Sequence, residues 1–406
     1  MELTLNMYST VALALIFFYI GAIIKKHVKF FRTFCIPTPV IGGLLFSIIN
    51  LVLHQTGLLA ITMDGVFQEM CMVIFFTSVG YSAAVKTIMK AGRPVVVLSA
   101  ITGVLICMQN LIGGYVAGFF GLPRVLGITM GSVALVGGHG NAGSFGPIIE
   151  ELGIEGAATV ALAAATFGLV FGSMLGGPVA DFLIRHHKLE PKGSKIEKSE
   201  QVELEGEGSK DLMNISESDF ISNTMLAIFH IFISMAIGAW LNPTIKGATG
   251  INIPIFLCSM CVAVVIRNIS DYTHLYRVCE KEGNTVGSIS LNIFLALAMM
   301  SVKLWQLIAL ALPMAVILLI QVVTTVVFIV LITFPLMGKD YEAAVMCAAQ
   351  VGYGFGATPN AMANIAAVEE KYALAPQARL VIPFVGGLFT SLMNAALITT
   401  FINFFA

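Results

Sequence analysis

The sequence has little charge for its length. Asp, Glu, Lys and Arg make up 11% of its 406 residues, whereas about a quarter of the residues in an average soluble protein are charged. Hydrophobic residues make up 57%, and the mean hydropathy is +0.91. This composition leaves too little polar surface for a water-soluble globule. It excludes soluble enzymes, nucleic-acid-binding proteins and secreted disulfide scaffolds, and it predicts a protein that lies in a lipid bilayer.

Motifs that indicate enzymes or cofactors are also missing. The sequence contains no P-loop, no HExxH zinc motif and no GxSxG nucleophile motif. The seven cysteines lie mostly in apolar runs, where Cys behaves as a small hydrophobic residue. The pair Cys258 and Cys261 has CxxC spacing but no second pair. The sequence therefore predicts neither an enzyme nor a cofactor-binding protein, and no hydrolysis of ATP.

Ten apolar runs are long enough to cross a bilayer. A hydrocarbon core of about 30 Å needs roughly 20 apolar residues in a helix. The runs are continuously apolar and do not alternate, so they predict helices and not the strands of a β-barrel. They lie at residues 8–24, 36–60, 67–86, 94–120, 156–184, 221–241, 251–269, 286–302, 304–337 and 377–404. The predicted fold is an all-α integral membrane protein with ten transmembrane helices.

Two glycine-rich segments do not fit as ordinary transmembrane helices. Residues 125–151 contain VGGHGNAGSFGPIIEE, and residues 341–370 contain VGYGFGATPNAMANIAAVEE. Gly costs about 1 kcal/mol relative to Ala inside a helix, so such a density of glycine would weaken a helix that faces lipid. We predict that both segments are re-entrant hairpins, which enter the protein and return to the side they came from.

The basic residues predict the orientation in the membrane. Cytoplasmic loops carry an excess of Lys and Arg. With the N-terminus outside and both glycine-rich segments re-entrant, 13 of the 22 basic residues fall in short cytoplasmic loops, and six more fall in a charged linker. Arg124, Lys246 and Lys303 are the three that fall outside. The predicted topology places both termini outside.

A charged segment divides the chain into two halves. Fifteen of the 45 Asp, Glu, Lys and Arg residues lie between Arg185 and Asp219, so residues 185–220 are predicted to be a solvated cytoplasmic linker. It separates an N-terminal membrane repeat, residues 1–184, from a C-terminal one, residues 221–406. Each half contains five of the predicted spans and one glycine-rich segment.

The two halves match at an offset of about 217 residues. Because each half crosses the membrane an odd number of times, the second copy is predicted to be inverted. Inverted repeats with interrupted helices are typical of secondary transporters, which bind substrate near the middle of the membrane where the repeats meet. The matching positions are Pro37 with Pro254, Phe167 with Phe384, Gly138 with Gly354, and Glu150 with Glu369.

The glycine-rich segments are the predicted binding site. Irregular backbone persists inside a membrane only where protein buries it or where it lines an aqueous cavity. Thr358 as N-cap and Pro359 as first helical residue predict one helix start, and Asn141 or Ser144 predicts another. Free N–H groups and the positive end of the helix dipole favour an anion, most simply a carboxylate.

The candidate ligands are glycines and neutral oxygens. Glycines let backbone approach a ligand, although close helix packing would also explain them. Side-chain oxygens and loop carbonyls suit a hard cation such as Na⁺. The candidate glycines are Gly137, Gly138, Gly140, Gly352, Gly354 and Gly356. The candidate side chains are Asn141, Ser144, Thr358, Asn360 and Asn364, with sodium ligands expected among the first four. Gln109 and Gln321 are candidate ligands or interhelical hydrogen-bonding groups, and His139 is interpreted as structural.

These motifs resemble the glutamate:sodium symporter (ESS) family. The similar stretches include GGHG with the following GIEGAATVALAAATFGLVFGSMLGGPVA, and GYGFGATPNAMAN, IPTPVIGGLL, MQNLIGG and MGKDYEAAV. The resemblance runs from about Ile36 to Ala396. It implies sodium-coupled uptake of glutamate, two inverted five-helix domains with re-entrant loops, a location in the bacterial inner membrane, and a homodimer. The family's GGxG-type motifs correspond to Gly137, Gly138 and Gly140 and to Gly352, Gly354 and Gly356.

Two alternatives stay open at this point. A symporter of citrate or malate type would carry a carboxylate without an ammonium group. The ammonium group of an amino acid would favour an acidic partner, and the apolar runs have no acidic residue in mid-span. This absence keeps the citrate or malate option open. An ion channel would also explain re-entrant loops, but it would show no obligatory coupling.

Overall fold

The chain is almost entirely helical in the computed structural model, which describes residues 2–34, 36–84, 92–190, 217–249, 253–274 and 276–405. Its helices are α1 (Met7–His27), α2 (Lys29–Thr33), α3 (Thr38–Gln55), α4 (Val66–Tyr81), α5 (Arg93–Phe119), α6 (Arg124–Thr129), α7 (Gly138–Glu151), α8 (Ala157–His187), α9 (Glu217–Thr249), α10 (Ile255–Thr273), α11 (Glu280–Met300), α12 (Leu307–Phe328), α13 (Phe334–Leu336), α14 (Tyr341–Gly354), α15 (Thr358–Lys371), α16 (Pro376–Ile382) and α17 (Thr390–Phe405).

Nine helical stretches of the described residues are long and apolar enough to cross a membrane. They are α1, α3, α5, α8, α9, α10, α11, the rod formed by α12 and α13, and the rod formed by α16 and α17. The tenth predicted span, residues 67–86, corresponds to α4, which has 16 residues; residues 85–91 lie outside the described ranges. The chain is a multi-pass membrane protein, and α4 is shorter than its prediction.

Two of the rods contain a wider turn. Residues Ile329–Thr333 join α12 to α13, and Pro383–Phe389 join α16 to α17, both as π-helical turns. Pro383 has no N–H group, so it cannot donate the regular helical hydrogen bond. The Thr390 hydroxyl donates to the Val385 carbonyl across the second turn at 2.5 Å. π-Helical turns frequently occur near functional sites.

The all-α prediction overlooked a small parallel sheet. Strand β1 (Glu2–Leu5) pairs with β2 (Ala60–Met63), and Leu3 lies opposite Ile61. Each strand has only four residues and adjoins a long apolar helix, so no period of two stands out in the sequence. The sheet joins the residues before α1 to the loop between α3 and α4.

The helices pack as two groups. The first bundle contains α1, α3, α4, α9, α10 and α11, and its neighbours follow the order α1, α3, α11, α4, α10, α9. The second bundle contains α5–α8 and α12–α17, with α8 packed against α7, α14 and α15. The predicted linker falls between them: α8 continues to His187, α9 begins at Glu217, and residues 191–216 lie outside the described ranges.

Helix α7 belongs to the second bundle but lies against the first. The Phe145 ring lies 5.2 Å from the Phe256 ring of α10. A Cβ atom at Gly143 would lie 2.9 Å from the Phe294 ring of α11. The contact surface between the bundles at α7 is therefore built from glycine and aromatic carbon.

Candidate binding site

The first glycine-rich segment is broken in the middle. We call residues 124–151 segment 1; it consists of α6, a run of turns over residues 130–137, and α7. Helix α7 begins at Gly138 with Gly137 as its N-cap. The prediction that Asn141 or Ser144 caps this helix is wrong, because both residues lie inside it. The Ser144 hydroxyl donates to the Gly140 carbonyl of its own helix at 2.7 Å.

The second glycine-rich segment is a pair of helices. We call residues 341–371 segment 2; it consists of α14, a short break, and α15. Helix α15 begins at Thr358, and its N-cap is Ala357, which has extended backbone and makes no side-chain capping bond. The prediction of Thr358 as N-cap is therefore wrong by one residue. The chain turns at Ala357, whose carbonyl accepts a hydrogen bond from the Asn360 N–H at 3.0 Å.

Glycine allows the two helices of segment 2 to touch. A Cβ atom at Gly352 of α14 would lie 2.5 Å from the backbone of Ala361 in α15. Real Cβ atoms essentially never approach other atoms within 3.0 Å. Gly352 therefore has a packing function, which is the alternative that the sequence left open for the candidate glycines.

The two segments meet where their helices begin. Gly138, the first residue of α7, has a φ of +56°, and a Cβ atom there would lie 2.8 Å from the Gly356 carbonyl oxygen. Gly356 precedes the first residue of α15 by two positions. The N-terminal ends of α7 and α15 therefore converge inside the second bundle, and each carries the positive end of a helix dipole.

The remaining candidates of segment 1 do not all lie at this meeting point. Gly137 lies over the Asn141 side chain, which is 4% exposed. Gly140 lies on the other face of α7, where its nearest neighbour is the Phe75 ring of the first bundle. The structure thus brings Gly137, Gly138 and Asn141 together and places Gly140 at the contact between the bundles.

Two asparagines of α15 attach segment 2 to α8. The Asn360 Nδ2 donates to the Leu169 carbonyl at 3.0 Å and to the Ser173 hydroxyl at 2.6 Å. The Asn364 Nδ2 donates to the Gly172 carbonyl at 2.9 Å, and also to a carbonyl of α14. Both side chains are buried. The Asn360 Oδ1 has no hydrogen-bond partner among the described residues, so this oxygen is available to a ligand.

A stripe of small residues on α8 receives segment 2. Gly168, Gly172 and Gly176 recur every four residues and so occupy one face of the helix. A Cβ atom at Gly168 would lie under 3.0 Å from the Phe355 carbonyl oxygen, and one at Gly176 under 3.0 Å from the Asn364 side chain. We call these three residues the α8 glycine stripe. The stripe was not predicted, although the four-residue spacing is visible in the sequence.

The two candidate glutamines lie where α5 crosses α12. Gln109 and Gln321 are both fully buried. The Gln109 Nε2 donates to the Thr325 hydroxyl at 3.2 Å and to the Gly354 carbonyl at 3.1 Å. The Gln321 Nε2 donates to the Gln109 backbone carbonyl at 2.6 Å. Interhelical bonding is therefore confirmed for both, and Gly354, another candidate, belongs to the same cluster.

A third buried glutamine was not predicted. Gln350 of α14 is fully buried, and neither its Oε1 nor its Nε2 has a partner among the described residues. A buried amide without partners costs free energy, so a ligand or water is expected beside it. Its signal in the sequence is one amide within an Ala-rich helix, two positions before Gly352.

His139 and the glutamate pairs take different positions. The His139 ring is 4% exposed and its Nε2 lies 3.0 Å from the Thr166 hydroxyl, which agrees with the structural interpretation. Glu369 is buried and accepts a hydrogen bond from the Ala375 N–H at 2.8 Å. The Arg379 guanidinium also donates to Glu369, with contacts of 2.5–3.0 Å. In contrast, Glu151 at the end of segment 1 is exposed.

Known proteins resemble the chain over nearly its whole length. The family model described as sodium/glutamate symporter matches residues 3–374. A sodium/glutamate symporter of Haemophilus influenzae is 36% identical over 401 residues, which is 98% of this chain and 97% of the relative. Sodium/glutamate symporters of Escherichia coli K12 and Shigella flexneri are each 34% identical over 399 residues, which is 98% of both chains. The resemblance predicted from the glycine-rich motifs is confirmed.

Proposed function

The chain belongs to the sodium/glutamate symporter family, and we infer that it transports glutamate across the membrane together with sodium. We propose that glutamate binds where the N-terminal ends of α7 and α15 converge. The observation that supports this site is the approach of Gly138 to the Gly356 carbonyl, because it brings two positive helix ends to one buried point. A substrate carboxylate is the complementary charge.

The proposed site contains residues of both segments. Gly137, Gly138 and Asn141 supply the side formed by segment 1, while Gly356 and Thr358 supply backbone and a hydroxyl from segment 2. The free Oδ1 of Asn360 and the amide of Gln350 add polar groups, so that the site can accept the ammonium group of glutamate as well as its carboxylates. Gly352 and Asn364 hold segment 2 in place and do not need to touch substrate.

We propose that the two halves are inverted repeats, and the packing order supports it. If α1, α3 and α4 correspond to α9, α10 and α11, then exchanging the halves turns the order α1, α3, α11, α4, α10, α9 into its own reverse. The second bundle has the same symmetry. If α6 corresponds to α14 and α8 to α17, the contact of α14 with α8 becomes the contact of α6 with α17, and both contacts are present. Such a pattern is expected of a two-fold axis in the membrane plane.

The same arrangement supports re-entrant segments and ten spans, with α4 as the tenth. Both termini would then lie outside a bacterial inner membrane, and the linker of residues 185–220 would be cytoplasmic. The excess of basic residues in the cytoplasmic loops of that topology supports the orientation. The homodimer implied by the family resemblance stays a prediction.

We propose alternating access in which the second bundle moves relative to the first. Segments 1 and 2 both belong to the second bundle, so the site would move as a unit. The glycine and aromatic surface of α7 against Phe256 and Phe294 supports such a movement, because carbon contacts can slide without the loss of directed hydrogen bonds. Glutamate carries a charge of −1 at pH 7, so electrogenic uptake needs more than one Na⁺ per cycle, and each net charge gains about 2.3 kcal/mol per 100 mV.

Uptake into proteoliposomes tests this function. We expect labelled glutamate to accumulate with an inward sodium gradient, and we expect its uptake to fall to the level of protein-free liposomes when choline replaces sodium. Unlabelled aspartate, citrate and malate should each be added as competitors, since stronger competition by citrate or malate than by glutamate would identify the alternative carboxylate symporter. Single-channel currents through the reconstituted protein would contradict the carrier and identify a channel.

A further inference from the structure

Two buried oxygens at the crossing of α5 and α12 have no partner. The Oε1 atoms of Gln109 and Gln321 accept no hydrogen bond from any described residue, although both side chains are 0% exposed. An unsatisfied buried acceptor costs about 1–3 kcal/mol, and the lipid around the bundle offers no donor. These oxygens therefore need a partner that the described residues do not supply.

The orientation of both amides is fixed by their donors. The Gln109 Nε2 faces the Gly354 carbonyl and the Thr325 hydroxyl, and the Gln321 Nε2 faces the Gln109 carbonyl. Flipping either amide would place its oxygen against a carbonyl oxygen. In this orientation, the amide N–H groups are hydrogen-bonded and both Oε1 atoms remain without a partner among the described residues.

The surroundings favour a cation. Gly354 is the last residue of α14, and the C-terminal end of a helix carries a partial negative charge. Its carbonyl belongs to the same cluster as the two glutamines. In secondary transporters, backbone carbonyls and the C-terminal ends of interrupted helices coordinate sodium, and a side-chain amide oxygen is a ligand of the same chemical type. We propose that a sodium ion binds at the crossing of α5 and α12, with the Oε1 atoms of Gln109 and Gln321 among its ligands.

This site would couple sodium to glutamate through segment 2. Gly354 ends α14 and Thr358 begins α15, so only three residues, 355–357, lie between the cation site and the start of α15. An ion that draws α5 and α12 together would hold Gly354, and hence the start of α15, in the geometry that binds glutamate. Because binding linkage is reciprocal, glutamate would raise the affinity for this sodium ion. The inference thus rests on the proposed function and adds the position of a coupling ion.

The test compares two substitutions of one residue. Gln321→Met removes both the oxygen and the donor, whereas Gln321→Glu removes the donor and keeps an oxygen. We expect Gln321→Met to raise the sodium concentration for half-maximal glutamate uptake at least tenfold, with uptake recovering at high sodium. Gln321→Glu loses the bond to the Gln109 carbonyl but keeps an oxygen for sodium, so it should raise this concentration by no more than about threefold. The matched control is Thr324→Val, whose hydroxyl bonds only to its own helix and whose half-maximal sodium concentration should be unchanged.

A second measurement does not depend on transport. The melting temperature of the purified full-length protein should rise when NaCl replaces choline chloride at constant ionic strength, because a bound ion stabilises the folded state. Gln321→Met should lose at least part of this rise, and Gln321→Glu should keep it. If Gln321→Met does not accumulate in the membrane, Gln321→Glu is compared with the unsubstituted protein. A sodium response of Gln321→Glu that is tenfold weaker would overturn the site.

Each contrary result has a distinct meaning. Equal defects in Gln321→Met and Gln321→Glu would assign the effect to the lost bond with the Gln109 carbonyl and would overturn the sodium site. An unchanged sodium response in Gln321→Met would show that sodium does not bind these oxygens, and it would overturn the site. If the unsubstituted protein itself shows no sodium-dependent uptake, the proposed function fails, independently of Gln321.

Discussion

Gly168→Ala is expected to abolish glutamate uptake. The added Cβ would lie under 3.0 Å from the Phe355 carbonyl oxygen, and this neighbour is backbone, which cannot rotate away. Phe355 lies in the break between α14 and α15, so segment 2 would have to move away from α8 at the proposed glutamate site. Overpacking of this kind costs about 1–3 kcal/mol. Uptake of labelled glutamate should fall below a tenth of the unsubstituted rate, with membrane insertion unchanged.

Gly177→Ala is the matched control for this substitution. Gly177 lies on the same helix, next to the α8 glycine stripe, and a Cβ atom there would meet no described atom within 4 Å. Ala also favours helix by about 1 kcal/mol over Gly. We therefore expect full uptake from Gly177→Ala. Normal uptake by Gly168→Ala would show that segment 2 does not rest on α8 during transport.

Arg379→Ala is expected to destabilise the end of segment 2. Glu369, near the end of α15, has a side chain that is 3% exposed, and it receives the Arg379 guanidinium at 2.5 Å. Removing the cation leaves the carboxylate buried beside one backbone N–H. Loss of one partner of a buried ion pair costs about 3–5 kcal/mol, and we expect about 3 kcal/mol because Arg379 is itself 43% exposed. The free energy of unfolding in mild detergent measures this change.

The control removes an ion pair that faces solvent. Arg185 lies 3.0 Å from Asp181 on α8, but its side chain is 67% exposed, and exposed pairs contribute little to stability. Arg185→Ala should therefore unfold like the unsubstituted protein. Equal stability losses in both variants would contradict the assignment of the effect to the buried carboxylate of Glu369. Double substitution of Glu369 and Arg379 should recover part of the loss, because no uncompensated charge then remains.

The sequence predicted the helices well, because the constraint behind them is simple. A membrane-crossing helix needs a long apolar run, so the predicted runs at 94–120 and 377–404 agree with α5 and with the rod from α16 to α17 within one residue. The position of the polar groups at depth was also visible, since Gln109 and Gln321 interrupt apolar sequence. Turns at residues 130–137 interrupt segment 1, but Gly140, Gly143 and Gly146 lie inside α7, so glycine density did not predict where the helix breaks. The re-entrant path of both segments stays a prediction.

The helix start and the side-chain contacts within the site depend on how the helices pack, and hydrophobic periodicity does not predict that packing. The start of α7 was expected at Asn141 or Ser144 because those side chains can cap a helix. The helix begins instead at Gly138, whose positive φ allows the turn. The function of the Asn364 amide as a link between α8 and α14 depends on which helix lies alongside, and that information is absent from local sequence. Gln350 was missed because its one signal, an amide in an Ala-rich helix, does not show whether the side chain is buried or exposed.

The short sheet has a practical consequence for experiments on this protein. Strand β1 starts at Glu2 and is held in register by β2, so a fusion partner joined directly to Met1 would lie one residue from a paired strand. Affinity handles and fluorescent reporters should therefore be joined to the other end of the chain, after Ala406. Amide hydrogen exchange along Ala60–Met63 offers a readout of whether a chosen expression design has kept the strand in place.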